Sequence, residues 1–462
     1  MQDYLAHVNT NSSPSELKIT DIRFADLYHA PMHCTLVKIE TNQGITGFGE
    51  IRDFGSRTYA AMLKGRLLGE NPCNINRIFE RIKQFGGPSR QGGGVSGIEI
   101  ALCDLAGKAY GVPIYQMLGG KFRDSVRVYC DLGRNPRQPM TGEGMGKELR
   151  RHVDEGGFTM VKCILGVENV QAMYPDEVLL SGPSGFVDSL IQARKYHMPY
   201  TDANKSAAAD ADFYKRNRAY EIFSTQHPYT FTRITERGLD RYEEELSKLR
   251  DQLGYDIPLA IDHLGHVNLE DMARLLRRLE KYNLAWVEDA LPCTFVEEYK
   301  RLSMMTATPL ATGEDLYLKE GFLPLCKERA VPIIHPDICS CGGIFEAQRI
   351  GNMAQDHHVA MVMHMCETPV AALATAHMGV ATQNCIAMEF NAPDDDWWND
   401  LVIGVSKPVI KGGFITPSDK PGLGIDDLND EVIKEHMLPN SGPIWAATDQ
   451  WNTEYSNDRC WS

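Results

Sequence analysis

Three acidic residues stand at equal intervals in the second half of the chain, each at or just after the end of a short apolar run. They are Asp262 in LAIDHLGH, Glu288 in WVEDALP and Glu314 in LATGEDLY, and the steps from 262 to 288 and from 288 to 314 both span 26 residues. Carboxylates brought close together raise one another's pKa unless a cation compensates them. Oxygen donors without Cys or His suit Mg²⁺. The alternative is that each acid separately caps a helix or pairs with Lys or Arg. The equal spacing favours one Mg²⁺ site.

A histidine and a further acid occupy the corresponding places in the next two units. Asp337 ends VPIIHPD and His364 ends VAMVMH, and the step from 337 to 364 spans 27 residues. A carboxylate behind a histidine fixes its tautomer and raises its basicity, as a general base requires. We therefore predict that His364 and Asp337 form a catalytic base pair. Glu389, which lies in the later run CIAMEF, is either an acid or hydrogen-bond partner on the same rim or the cap of a helix.

Short apolar strands alternate with amphipathic helices from Val126 onward. The predicted strands are VRVYCDL, FTMVKCIL, PLAIDH, LAWVED, PLATGED, VPIIHPD, VAMVMH and CIAMEF, separated by helical patterns such as LEDMARLLRRLEKYN. Strand and helix units that repeat at about 25 residues indicate a parallel sheet, and eight such strands favour a closed (β/α) barrel, or TIM barrel, of the α/β class. Because catalytic groups of such barrels lie where strands end, all six residues above would meet on one face.

The segments on either side of this pattern differ from it. Residues 17–52 form alternating runs with an Asn-Gln-Gly turn, which predicts a strand meander, and a helix follows that Gly111 and Pro113 terminate. We therefore predict a flexible N-terminal arm over residues 1–16, a small α+β domain over 17–125 and the barrel over 126–396. The C-terminal segment 397–462 is expected to return to the small domain.

Residues 166–235 interrupt the barrel pattern after its second strand. The interval is far longer than a usual βα loop and is rich in aromatic and charged residues. One interpretation is a surface elaboration or an oligomer contact. The other is a lid over the catalytic face, where βα loops lie.

Composition limits the class of protein. The formal net charge of −15 over 462 residues repels nucleic acids and anionic membrane surfaces. The longest apolar stretches fall far short of a membrane span, and the polar N-terminus lacks the apolar core of a signal peptide. The 12 scattered cysteines are typical of reduced, buried thiols rather than of a disulfide framework. We expect a cytoplasmic, homo-oligomeric enzyme that acts on a small molecule, without a nucleic-acid or membrane partner.

The order Asp, Glu, Glu, then Asp and His resembles the mandelate racemase/muconate lactonizing enzyme family of the enolase superfamily. The resemblance extends over nearly all of the chain and includes ETNQGITGFGE, GIEIALCDLAGKAYGVPIYQMLGG and the GGIFEAQRI that follows Asp337. It implies an α+β capping domain with a modified barrel, Mg²⁺ as the metal, and His364 with Asp337 as the base pair.

Two departures from the family pattern bear on the reaction. The second strand in this group often carries Lys-x-Lys, whose second Lys is a base on the opposite face of the substrate, whereas MVKCIL has Lys162 first and Ile164 second. Lys162 then either holds a substrate carboxylate or closes a salt bridge. Acid-sugar dehydratases often place a histidine two residues after the first metal ligand, where this chain has Leu264. Strand alternation turns His263 outward, so His266 is the candidate acid.

These features predict proton abstraction beside a substrate carboxylate. Because a second base is missing, we rank first a dehydratase of carbohydrate catabolism that converts an acid sugar, an aldonate or aldarate, to a 2-keto-3-deoxy acid. A cycloisomerase, epimerase or racemase that uses the same enolisation is the alternative, with a base supplied by the insertion. A non-catalytic carbohydrate-binding relative is a further alternative. A metal-dependent hydrolase would have histidine ligands on the first strand, which VRVYCDL lacks.

Overall fold

A computed structural model describes residues 12–28, 32–132, 137–174, 176–181, 233–262 and 267–454. Its strands are β1 (Ile19–Leu27), β2 (Cys34–Thr41), β3 (Thr46–Ile51), β4 (Val126–Cys130), β5 (Val161–Ile164), β6 (Leu180–Ser181), β7 (Arg233–Ile234), β8 (Leu259–Asp262), β9 (Trp286–Glu288), β10 (Leu310–Thr312), β11 (Ile333–Ile334), β12 (Ala360–Met363), β13 (Cys385–Phe390), β14 (Val402–Ile403), β15 (Ile410–Lys411), β16 (Phe414–Ile415) and β17 (Asp427–Leu428).

The α-helices in the same parts of the chain flank these strands. They are α1 (Thr58–Ala61), α2 (Lys64–Leu67), α3 (Ile75–Ile82), α4 (Gly93–Tyr110), α5 (Ile114–Met117), α6 (Gly142–Gly156), α7 (Val167–Met173), α8 (Glu236–Leu253), α9 (Leu269–Leu279), α10 (Val296–Ser303), α11 (Leu318–Lys327), α12 (Ile344–Asp356), α13 (Pro369–Val380) and α14 (Asp430–Glu435).

The N-terminal strands form the predicted meander. β1, β2 and β3 pair antiparallel in that order, so the prediction is confirmed. Helix α4 packs against β3 so closely that a Cβ on Gly47 or Gly49 would lie 2.2 or 2.0 Å from a carbonyl oxygen of α4. Only glycine permits that approach of strand to helix. The helix ends where the sequence predicts, at Gly111, which takes the left-handed conformation with φ 72°.

The large sheet contains the eight predicted barrel strands. Their order is β13-β12-β11-β10-β9-β8-β5-β4, and a further pairing of β13 with β4 closes the ring, which confirms the (β/α) barrel. The alternating helices of the pattern are found as α6 and α8 to α13. The strands are buried because each is apolar on both faces, as in Leu259, Ile261 and Val287, which are fully shielded from solvent.

Strand register in the barrel brings two of the predicted acids to one level. Ile261 pairs with Val287, so the next residues, Asp262 and Glu288, end β8 and β9 side by side. In the same way Ile164 at the end of β5 pairs with Asp262. Parallel strands in this register therefore present the side chains at their carboxyl ends together.

The chain forms two compact units. One comprises residues 1–128, 313–327 and 334–462, and the other comprises 129–312 and 328–333. Within the first unit the C-terminal segment lies along β1, where the amides of Leu438 and Trp445 donate to the carbonyls of Asp26 and Phe24 at 2.9 and 3.0 Å. The predicted domain boundaries at 16, 125 and 396 stay predictions.

Part of the predicted insertion lies outside the described residues, namely 175 and 182–232. Its two ends are joined by the antiparallel pair β6 and β7, in which Leu180 faces Ile234. His263 and His266 also lie outside the described residues. Where the chain is described, none of its helices is long and apolar enough to cross a membrane.

Candidate active site

A lysine within β5 and the two carboxylates that end β8 and β9 form a buried cluster. Lys162 Nζ lies 3.0 Å from Asp262 Oδ2 and 3.1 Å from Glu288 Oε1. The Trp286 indole donates to the other oxygen of Glu288 at 3.2 Å. Two buried carboxylates therefore share one ammonium group. Pairing and hydrogen bonds of this kind offset the cost of taking charged groups out of water.

The first unit holds the predicted base pair. His364 Nδ1 lies 2.7 Å from Asp337 Oδ2, and both side chains are buried. The other oxygen of Asp337 accepts the amide of Cys339 at 2.6 Å, and Arg52 lies 3.3 Å away. Asp337 is therefore held from two sides and fixes the orientation of the imidazole. This arrangement leaves Nε2 as the nitrogen that can exchange a proton with a substrate.

Three side chains approach Nε2 of His364. Glu314 Oε2 lies at 2.9 Å, Cys366 Sγ at 3.2 Å and Glu389 Oε2 at 3.9 Å. Burial disfavours the charged imidazole, but the Coulomb attraction of Cys366, Glu314 and Glu389 outweighs it and holds the pKa of His364 well above its usual value. Burial likewise opposes ionisation of Glu314, and His364 together with Arg52 holds its pKa well below the usual range.

Arg52 is a buried cation in the same unit. Its guanidinium lies 3.4 Å from Glu314 and 3.7 Å from Glu367, in addition to Asp337. It also donates to the carbonyl of Glu314 at 3.0 Å, and Ser340 Oγ donates to the same carbonyl at 2.9 Å. Main chain and side chain of Glu314 are therefore both fixed.

Two carboxyl groups next to Arg52, those of Asp53 and Glu367, have pKa values shifted in opposite directions. Burial opposes ionisation of Asp53, but Arg52 and Arg90 lower its pKa to about 2. Burial, Asp337 and Asp53 instead raise the pKa of Glu367 well above its usual value. The site therefore favours the ionised form of Asp53 and the protonated form of Glu367.

The structure thus places the predicted residues in two groups. Lys162, Asp262 and Glu288 are brought together in one unit. Glu314, Asp337, His364 and Glu389 are brought together in the other.

Sequence reasoning missed several partners in the second group: Asp53, Arg90, Ser340, Cys366 and Glu367. Cys366 and Glu367 lie two and three residues after His364 in MHMCETP, so polar residues just beyond a strand end were a usable signal. Asp53 and Arg90 come from the N-terminal region, and nothing in their spacing points to the barrel.

Comparisons with known proteins agree with this architecture. Residues 6–119 match the mandelate racemase/muconate lactonizing enzyme N-terminal domain, and residues 208–431 match the enolase C-terminal domain-like family. The chain belongs to the mandelate racemase/muconate lactonizing enzyme family of the enolase superfamily, as its resemblance predicted.

Similar proteins cover nearly the whole chain. It is 29% identical to D-xylonate dehydratase of Haloferax volcanii, over 93% of this chain and 91% of that one. It is 26% identical to D-galactonate dehydratase of Klebsiella pneumoniae, over 94% and 98%.

Solved structures share the fold. A mandelate racemase/muconate lactonizing enzyme-like protein from Rubrobacter xylanophilus superposes with a TM-score of 0.73 at 26% identity, covering 93% of this chain and all of the other. A member of the enolase superfamily from Salmonella Typhimurium superposes with a TM-score of 0.71 at 23% identity, covering 91% and 98%.

Proposed function

We propose that this protein is a Mg²⁺-dependent dehydratase that converts an aldonic or aldaric acid to a 2-keto-3-deoxy acid. The observation that carries the choice of reaction is the position of Ile164. It ends β5 beside Asp262, where a second base would have to stand for racemisation. The names of the similar proteins, D-xylonate and D-galactonate dehydratase, support the same choice.

The residues that would hold Mg²⁺ are Asp262, Glu288 and Glu314. All three offer oxygen donors, which Mg²⁺ prefers. The shared contact of Asp262 and Glu288 with the ammonium group of Lys162 supports the fit, because both carboxylates lie close enough together to contact one cation. When bound, Mg²⁺ supplies a positive charge that stabilises the negative charge developing on the substrate carboxylate, worth several kcal/mol.

His364 takes the proton from the carbon next to the carboxylate. The C–H electron pair moves into the new C=C bond of an enediolate, and the proton goes to Nε2. Asp337 holds Nδ1 and so stabilises the imidazolium that forms. Arg52, 3.3 Å from Asp337, helps to hold that carboxylate in place.

The 3-hydroxyl group then leaves as water. Its proton comes from a nearby acid, and the imidazolium of His364 is one such group because a single histidine suits a syn elimination. Glu389, 3.9 Å from Nε2, is a second candidate. His266 keeps its predicted role as a third. The enol that remains takes up a proton at carbon 3 and becomes the 2-keto acid.

The proposal is tested by a screen of aldonic and aldaric acids, including D-xylonate and D-galactonate, with the enzyme and Mg²⁺. We expect a 2-keto-3-deoxy product from at least one acid. A 2-epimer or a rearranged lactone without keto acid would refute dehydration and favour the isomerase. A cytoplasmic location and a homo-oligomeric state stay predictions, as does the lid role of residues 166–235.

A further inference from the structure

A nitrogen of the proposed base lies close to a sulfur and a carboxylate oxygen of two other side chains. Nε2 of His364, Sγ of Cys366 and a carboxylate oxygen of Glu389 all lie within 4.8 Å of one another, and all three side chains are buried. The nitrogen is 3.2 Å from the sulfur and 3.9 Å from Glu389 Oε2. This set of nitrogen, sulfur and oxygen differs in kind from the all-oxygen set proposed for Mg²⁺.

The donor types select a different class of metal. Thiolate and imidazole suit Zn²⁺ and similar transition metals, whereas Mg²⁺ prefers carboxylate and water. In a tetrahedral zinc site with bonds of about 2.0 Å to N and O and about 2.3 Å to S, neighbouring ligand atoms stand about 3.3–3.5 Å apart. The N–S separation of 3.2 Å is about 0.3 Å shorter than that geometry requires, and the N–O separation of 3.9 Å is about 0.6 Å longer. Small side-chain movements would complete it.

The surroundings of His364 already have the form of a metal-ligand shell. Histidines that bind a metal through one nitrogen usually donate the other N–H to a carboxylate. Here Nδ1 lies 2.7 Å from Asp337, which leaves Nε2 for the metal. Asp337 is itself anchored by the amide of Cys339 at 2.6 Å.

We propose that His364, Cys366 and Glu389 form an inhibitory site for a thiophilic divalent cation, of which Zn²⁺ is the physiological example and Co²⁺ the spectroscopic one. The cation occupies the Nε2 lone pair, so His364 cannot take a proton. Glu314, whose carboxylate lies 2.9 Å from the same nitrogen, is the ion-pair partner that the cation displaces. The inhibitory consequence rests on the proposed function, whereas the metal site itself does not.

The site is tested by titrating Co²⁺ into the full-length protein saturated with Mg²⁺ and recording the thiolate-to-cobalt charge-transfer absorption. We expect this band in the wild type and not in Cys366→Ser or Cys366→Ala. Cys385→Ala is the matched control, because Cys385 is a buried thiol on the same strand as Glu389, and the band should persist in it. No band in the wild type, or an unchanged band in both Cys366 variants, would overturn the site.

Affinity and inhibition provide the second measurement. Asp337→Asn should weaken Co²⁺ binding by about 10–100-fold, as the loss of a carboxylate behind a ligating histidine does elsewhere. In an assay with an acid sugar that the enzyme turns over and with excess Mg²⁺, Zn²⁺ should inhibit the wild type. The Zn²⁺ concentration that halves the rate, relative to the rate of the same protein without zinc, should be at least about tenfold higher for Cys366→Ser than for the wild type. Equal sensitivity of the two would overturn the inhibitory role. If no acid sugar is turned over, the proposed function fails while the cobalt band still decides the site.

Discussion

Replacing Lys162 by Met should destabilise the protein strongly. The ammonium group is the cation that Asp262 and Glu288 share, at 3.0 and 3.1 Å, and the lysine side chain is 1% exposed. Methionine keeps the length of the side chain but leaves two buried carboxylates without that partner. Removing one member of a buried ion pair costs about 3–5 kcal/mol, a large part of the 5–15 kcal/mol by which a typical protein is stable.

The assay is urea unfolding of the wild type and the variant in EDTA. The free energies of unfolding are compared if both proteins show the same dependence of that free energy on urea concentration, the m value. Lys248→Met is the matched control, because Lys248 also contacts two glutamates, at 2.7 and 2.8 Å, but is 41% exposed. Exposed pairs contribute about 0–1 kcal/mol, so this variant should stay near the wild type. A Lys162→Met variant no less stable than Lys248→Met would refute the shared-cation account of the cluster.

Three further outcomes follow from other contacts. Burial raises the pKa of Glu50 from 4.5 to about 7. Between those values the unfolded chain loses a proton that the native chain keeps, so wild-type stability should fall relative to Glu50→Gln by about 3 kcal/mol from pH 4.5 to 7, measured by urea unfolding across that range. Parallel curves for the two proteins would contradict this. Gly49→Ala should cost at least about 1–3 kcal/mol in the same assay, because its Cβ would lie 2.0 Å from a backbone oxygen of α4. In the control Gly321→Ala, the nearest atom would be 3.6 Å away, so a similar loss would refute the packing argument. His364→Asn should lower kcat by about 10²–10⁴-fold, and Asp337→Asn should lower it by less, because the second change misorients the base without removing it. Steady-state rates of both variants with an acid sugar that the wild type turns over test this order. A larger loss in Asp337→Asn than in His364→Asn would contradict the assignment of the base.

The barrel could be predicted because its signals are local. Each strand is a short apolar run, and the apolar residues of each helix recur at helical spacing. The step of 26 residues from Asp262 to Glu288 matches the length of one βα unit. Because the spacing is constant, residues at the ends of neighbouring strands lie at the same height in the barrel. The helix end at Gly111 was predictable for the same reason, since its left-handed conformation is a local requirement.

The charge network around His364 could not be predicted in the same way. Arg52 follows β3, far along the chain from Glu314 and Asp337, and no periodicity relates their positions. Cys366 lies two residues after His364, but a buried cysteine is usually only a packing residue. Its distance from Nε2 of His364 depends on side-chain orientation, which sequence patterns do not specify.

We propose that His364 removes the proton next to the substrate carboxylate and that water is then lost. Turnover of an acid sugar with Mg²⁺ in D₂O, followed by proton NMR, tests both steps in the wild type and in His364→Asn. We expect a 2-keto-3-deoxy acid from the wild type, and neither product nor deuterium at carbon 2 of the substrate from the variant. Product from His364→Asn at a near-wild-type rate, or a 2-epimer in place of the keto acid, would refute this mechanism.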